Sequence, residues 1–165
     1  MEMILTTTRE DARERFAAAV TAHRHAMYRA ARVLLDSDAD AEDAVSEATL
    51  RAWQSFGRLR DEQSIKAWLI KITVNCAYEH HRKNARVTYT DDLEPLAGGA
   101  EDRHDFPLWD AVCALPADYR VATVLYYYED MTTAEIAKAL GVREGTVRSR
   151  LSRARSRLRT LLEEE

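Results

Sequence analysis

The stretch GTVRSRLSRARSRLR, Gly145 to Arg159, carries six arginines in fifteen positions, and extending it back to Arg143 makes seven arginines against one acid, Glu144. Arginine at this density suits one kind of chemistry: clamping phosphates and pairing bidentately with guanine edges. On a helical wheel of about 100° per residue, Val147, Leu151, Ala154 and Leu158 fall on one stripe. Ser149, Ser152, Arg153 and Ser156 lie opposite, small hydroxyl residues that let a helix approach base edges, with one long donor among them. Arg148, Arg155 and Arg159 flank that face on one side and Arg150 and Arg157 on the other, where phosphates line a groove. Arg148 and Arg153 are expected nearest the bases, with the rest mainly on backbone. A solvated arginine-rich helix is the bland alternative, but lysine and glutamate would serve equally well there, and this face is almost free of acids.

Such a rod needs a partner helix to aim it. In MTTAEIAKALGVREGTVRSRL, Thr132 and Glu135 have capping-box spacing, Ile136, Ala137 and Leu140 make an inward face, and Gly141 stops the helix. Two short helices crossing at a glycine turn, with small Ala137 permitting close approach, form a helix-turn-helix whose second member can lie in a DNA major groove.

A second constellation lies upstream in SIKAWLIKITVNCAYEHHRKNAR. Its inward face is read as Ile65, Trp68, Leu69, Ile72 and Cys76. Lys71, Asn75, Tyr78 and Arg82 fall within about 60° of one another on the wheel. Cations for phosphates, an amide for a base edge and a ring for stacking suit single-stranded or melting DNA, although spacing alone fits an ordinary polar flank equally well.

The elements carrying these faces are all helical by periodicity, with no convincing strand alternation. A first helix is expected over about Arg9–Leu35, N-capped by Thr8, with Phe16, Val20, Met27, Ala31 and Leu34 or Leu35 inward. A turn at DSDAD leads to a second helix, Asp40–Phe56, closed by Gly57 as a left-handed residue, and a third runs from about Asp61 to Arg86. The segment VTYTDDLEPLAGGAEDRHD has six acids against one base (Arg103) and no periodicity, which reads as a solvated linker. Pro107 and Pro116 then open short helices.

The whole chain has 165 residues, 46% hydrophobic and 32% charged, with a net charge of -4, so the basic surface is local rather than general. Cys76 and Cys113 read as buried thiols of a reducing compartment, and the chain shows neither a membrane-length apolar run nor a signal peptide. A cytoplasmic protein is expected. Cys76, His80 and His81 have helical metal-ligand spacing without a second ligand pair, so no metal is assigned. Asp91, Asp92 and Glu94 are read as solvated linker acids. Tyr126–Tyr128 are read as core packing plus one exposed ring. No nucleophile–base pair, phosphate-binding glycine loop or paired catalytic carboxylates occur, so neither an enzyme nor a cofactor is expected.

Taken together and in order, these motifs resemble the extracytoplasmic-function (group 4) σ factors of bacterial RNA polymerase, over about Phe16–Leu162. DADAEDAVSEATLRAW is similar to region 2.2, IKAWLIKITVNCAYEHHRKNAR to regions 2.3 and 2.4, and LPADYRVATVLYYYEDMTTAEIAKALGVREGTVRSRLSRARSRL to region 4. The resemblance implies an all-α protein of two small helical domains: a three-helix σ2 domain over 9–86 and a helix-turn-helix σ4 domain over 106–162, joined by a flexible acidic linker over 87–105. It implies docking of Asp43, Ser46, Glu47 and Arg51 on the β′ clamp helices of core polymerase, with the β flap as a second partner. Arg60, Asp61 and Ser64 would pocket a flipped base of the minus-ten element, and Lys71, Asn75, Tyr78 and Arg82 would read its non-template strand. Arg143, Thr146, Arg148, Ser149, Arg150, Ser152, Arg153 and Arg157 would bind the minus-thirty-five element, and an anti-σ factor is a further implied partner. Ser46 stands where the family usually has Gln, and Arg143 where Ser or Thr commonly caps the recognition helix. The function implied is promoter-specific transcription initiation, with no covalent step of its own. A free-standing helix-turn-helix regulator and a helical protein-interaction adaptor are the alternatives.

Overall fold

The computed structural model describes residues 2–87 and 107–164. Among them every regular element is helical: α1 (Glu2–Arg32), α2 (Asp38–Ser55), α3 (Ile65–Val87), α4 (Pro107–Cys113), α5 (Ala117–Tyr127), α6 (Thr133–Leu140) and α7 (Glu144–Glu163), with 3-10 turns at Phe56–Arg58 and Glu62–Ser64. The expected linker, with Asp91, Asp92 and Glu94, lies outside the described residues apart from its first position, Val87, which ends α3.

Helices α1, α2 and α3 pack on one another. α2 does so through alanine: Ala41, Ala44, Ala48 and Ala52 form a fully buried stripe that lets its neighbours come close, while Met27 of α1 and Leu69 and Ile70 of α3 supply the volume. Phe16, Trp53 and Phe56 cluster at one end, Phe16 lying 5.1 Å from Trp53 and 5.2 Å from Phe56 between centroids. The turn between α1 and α2 is tied by Asp38, which accepts hydrogen bonds from Tyr28 at 2.8 Å and Arg32 at 2.7 Å, and Ser37 caps α2 by accepting from the Asp40 amide.

Several boundaries differ from those expected. α1 runs through Thr8 rather than starting after it, because nothing in MEMILTTT breaks a helix and threonine is only mildly unfavourable within one. Gly57 is not left-handed; the chain leaves α2 through a 3-10 turn that any residue can enter, so the glycine signal there has no steric demand behind it. α3 starts at Ile65, and Asp61 instead caps the short turn before it.

The largest correction concerns the faces of α3. Leu69 and Cys76 are buried as expected, but Ile65, Trp68 and Ile72 are only half-buried, whereas Ala67, Ile70, Val74 and Ala77 are fully covered. α3 packs on α6 as well as on α1 and α2, so more than one of its sides is covered, and α1 also meets α5. One apolar core therefore runs from Phe16 through Val74 to Ile136, Val147 and Leu151. Cys76 is buried and Cys113 half-buried.

Candidate nucleic-acid and polymerase interfaces

The helix-turn-helix is built as its residues dictate. Thr132 accepts from the Glu135 amide at 3.2 Å while Glu135 accepts from the Thr132 amide at 2.8 Å, a complete capping box. Gly141 ends α6 at φ 66°, the left-handed conformation that costs glycine least. Val147, Leu151 and Ala154 of α7 are buried and Leu158 half-buried, which turns Ser149, Ser152, Arg153 and Ser156 to solvent. Arg143 is the N-cap of α7 and makes no side-chain cap; the Thr146 and Val147 amides bond to its backbone carbonyl at 3.0 and 3.2 Å.

The flanking arginines are not all equally available. Arg143, Arg148, Arg153 and Arg157 are exposed, and Thr146 is half-buried. Arg148 donates to Glu144 at 2.7 Å, and the Thr133 hydroxyl, ahead of that arginine, holds the Glu144 carboxyl below its ordinary range. Arg157 lies 5.5 Å over the Tyr119 ring, and Arg155 donates to the Tyr127 hydroxyl at 3.0 Å. Arg150 is the most enclosed, 3.6 Å from Asp118. The three successive tyrosines, expected to show one exposed ring, all remain exposed, because they lie at the last turn of α5, where it meets the next loop. Tyr128 packs edge-on against Trp109 and Tyr126 against Tyr127.

The upstream candidates divide between two neighbouring depressions that share Ser55. Arg58, Arg60, Asp61, Ser64, Trp68 and Lys71 line one of about 690 Å³. Within it Asp61 accepts from the Gln63 amide at 3.0 Å and the Ser64 hydroxyl at 2.8 Å, which fixes the loop before α3. Asn75, Tyr78 and Arg82 line the other, of about 620 Å³, beside Arg51 and Ile72. Lys71, Asn75 and Arg82 are exposed. Tyr78 is half-buried and donates to Asp118 at 3.3 Å, and burial first, then that carboxylate, pushes its phenol above the ordinary value.

On α2, Asp43, Ser46 and Glu47 are exposed together with Leu50, whose apolar side chain is 54% accessible. Arg51 is spoken for within the fold: it donates to Glu47 at 2.9 Å and, as a fork, to both oxygens of Glu79 at 3.1 and 2.8 Å. The Glu79 pair joins α2 to α3 and raises the guanidinium's affinity for its proton further. His80 turns to Asp40 at 3.0 Å rather than towards Cys76.

Some residues of these surfaces escaped the sequence reading. Lys138 of α6 lines the depression with Arg60 and Lys71. Asp118 touches both Tyr78 and Arg150. An exposed acid one residue into a helix carries no local signature, so only the tertiary contact that brings the start of α5 to Tyr78 could reveal it.

Comparison with known proteins matches both halves of the chain. The family described as Sigma-70 region 2 matches residues 19–87 and that described as Sigma-70, region 4 matches residues 106–158. The chain is 34% identical over 149 residues to RNA polymerase sigma factor SigV of Bacillus subtilis, covering 88% of this chain and 90% of that protein. It is 35% identical over 143 residues to ECF RNA polymerase sigma factor SigM of Mycobacterium tuberculosis, covering 85% and 73%. Among solved structures, the sigma factor RpoE in complex with the anti-sigma factor NepR from Bartonella quintana superposes with a TM-score of 0.74 at 28% identity, covering 91% of this chain and 98% of that one. With its two matched regions carrying the outward serines of α7 and the polar flank of α3, the chain belongs to the Sigma-70 family of RNA polymerase sigma factors.

Proposed function

We propose that this protein is an extracytoplasmic-function σ factor that works in the cytoplasm as a promoter-specificity subunit of RNA polymerase and performs no covalent chemistry itself. Asp43, Ser46, Glu47 and the exposed Leu50 dock on the β′ clamp helices, where acids suit a basic partner. The helix-turn-helix half meets the β flap. Arg60, Asp61 and Ser64 hold a flipped base of the minus-ten element, and Lys71, Asn75, Tyr78 and Arg82 read the exposed strand. Ser149, Ser152, Arg148 and Arg153 read the minus-thirty-five duplex, with Arg143, Thr146, Arg150 and Arg157 on its backbone. An anti-σ protein is a natural partner, since the RpoE relative is described in complex with one.

The observation that carries this reading is α7 itself: its apolar stripe is buried while Ser149, Ser152 and Arg153 face water, the disposition a groove-reading helix needs. The alternatives differ in outcome. Run-off transcription with core polymerase and genomic fragments should yield transcripts dependent on this chain. Tight operator binding by the chain alone with no transcript would instead favour a free-standing regulator.

A further inference from the structure

Two carboxylates and an imidazole meet where α2 packs on α3. His80 presents Nε2 to Oδ1 of Asp40 at 3.0 Å, and Asp43, one turn further along α2, brings a carboxylate oxygen so near that all three donor atoms lie within 4.8 Å of one another. Asp40 and His80 are half-buried and Asp43 is exposed. Ser37 fixes the start of the set by accepting from the Asp40 amide, and the Asn84 side chain donates to the other Asp40 oxygen at 3.4 Å. Outer hydrogen bonds of this kind orient metal-binding carboxylates.

The plain reading is an Asp40–His80 ion pair beside a bystander acid, since acids are favoured near the start of a helix. Asp43 is poorly explained as a bystander. Among the described residues it makes no hydrogen bond or ion pair, and the arginine of α2, Arg51, is committed to Glu47 and Glu79. Two like charges three residues apart repel, and a divalent ion would neutralise both. At bond lengths of about 2.0–2.2 Å a tetrahedral ion holds its ligand atoms about 3.3–3.6 Å apart, so Asp40 and His80 already stand close to that spacing and only the exposed Asp43 side chain has to turn inward. The nitrogen ligand selects the class: imidazole suits zinc and its first-row neighbours, whereas magnesium and calcium prefer oxygen alone.

We propose that Asp40, Asp43 and His80 bind one divalent ion of the zinc class, with water completing its coordination, and that the bound ion takes Asp43 away from RNA polymerase. The first half stands without the function proposed above. The second rests on it, because Asp43 is one of the acids that face the clamp helices there, and a neutralised, inward-turned carboxylate has lost its attraction for a basic partner. The set joins two helices across 40 positions of sequence, so the spacing of Cys76, His80 and His81 on α3 alone does not disclose it.

The test uses the full-length chain after treatment with a chelator. Titrated cobalt(II) should give the visible spectrum of an ion held by nitrogen and oxygen, saturating at a single equivalent, and zinc should displace it whereas a large excess of magnesium should not. His80→Gln and Asp43→Asn should each weaken zinc binding by well over the roughly tenfold lost with an outer-sphere partner. His81→Ala, exposed on the same helix, must leave it unchanged. No saturable spectrum, the charge-transfer band of a thiolate ligand, or equal loss in the His81 variant overturns the site. Affinity for core polymerase is then measured with and without saturating zinc. The wild type should lose about threefold to tenfold, and His80→Gln, which keeps every docking acid, should lose nothing. If circular dichroism shows His80→Gln unfolded, Asp40→Asn takes its place in both measurements. Zinc that acts on both chains alike, or on neither, overturns the competition, and a wild type that does not bind core polymerase at all overturns the function instead.

Discussion

Arg120 on α5 holds the carbonyl of Val33 at 2.6 Å, and the rest of its guanidinium grips the Leu115 carbonyl at 3.1 and 2.9 Å. The charge is thus spent on carbonyls rather than on a carboxylate, and burial drives its proton affinity down. Val33 lies just past the C-terminal end of α1, where the helix leaves partial negative charge for a cation. Arg120→Met should cost about 1–3 kcal/mol, since it strands buried acceptors. Arg120→Lys should recover only part of that loss, because an ammonium cannot make the fork. Urea unfolding of the three chains checks this; coincident midpoints would mean that the carbonyls find other donors.

On α7, Arg153 stands on the serine face whereas Arg157 leans over Tyr119. Arg153→Ala should relax discrimination among minus-thirty-five sequences by about 1–3 kcal/mol. Arg157→Ala should weaken all sequences alike and reduce the salt slope by about one. Competition binding at several salt concentrations measures both, and equal loss of discrimination in the two variants would refute the division.

Asp43 and Glu47 are exposed, so replacing both by alanine should leave the helical spectrum intact. Affinity for core polymerase should fall about tenfold at low salt and less at high salt, as expected for charges that steer and align a partner. Unchanged affinity would move the docking face elsewhere.

Acid should loosen the turn between α1 and α2. The Tyr28 hydroxyl, then Arg32, hold the Asp38 carboxyl below its ordinary value of 3.8. A depressed folded value means that the contribution is complete above the unfolded value and disappears as pH falls through the folded one, so it is full at neutral pH and fades below about pH 4. Tyr28 itself, pushed up to about 12 first by burial and then by its bond to Asp38, stays protonated throughout that window. The stability gap between wild type and Asp38→Asn, taken from urea midpoints, should therefore be widest at pH 7 and close toward pH 3. A gap independent of pH would count against the carboxylate.

What the sequence made legible was local. The capping box at Thr132 and Glu135, the left-handed Gly141 and the buried stripe of α7 each depend on residues a few positions apart, and each is present. What it hid was distant. Tyr78 meets Asp118 across 40 positions and Arg29 meets Glu129 across 100, and no periodicity records such pairings. The reading of α3 missed part of its covered surface: an amphipathic pattern names one inward face, whereas Ile70, Val74 and Ala77 are also buried, in a helix that packs on α6 as well as on α1 and α2. Arg51 shows the limit for the candidate site, since the fork to Glu79 ties up a group that the family resemblance assigns to an external contact.

The seam between α3 and α6 has a consequence for how the molecule is made. Its second lip, Thr133–Leu140, follows α3 in the chain, so a nascent chain carries the side of α3 that meets α6 uncovered until that segment has emerged. Ribosomes that stall before that point would release sticky fragments, and a message coding for this protein rewards being read through without pause.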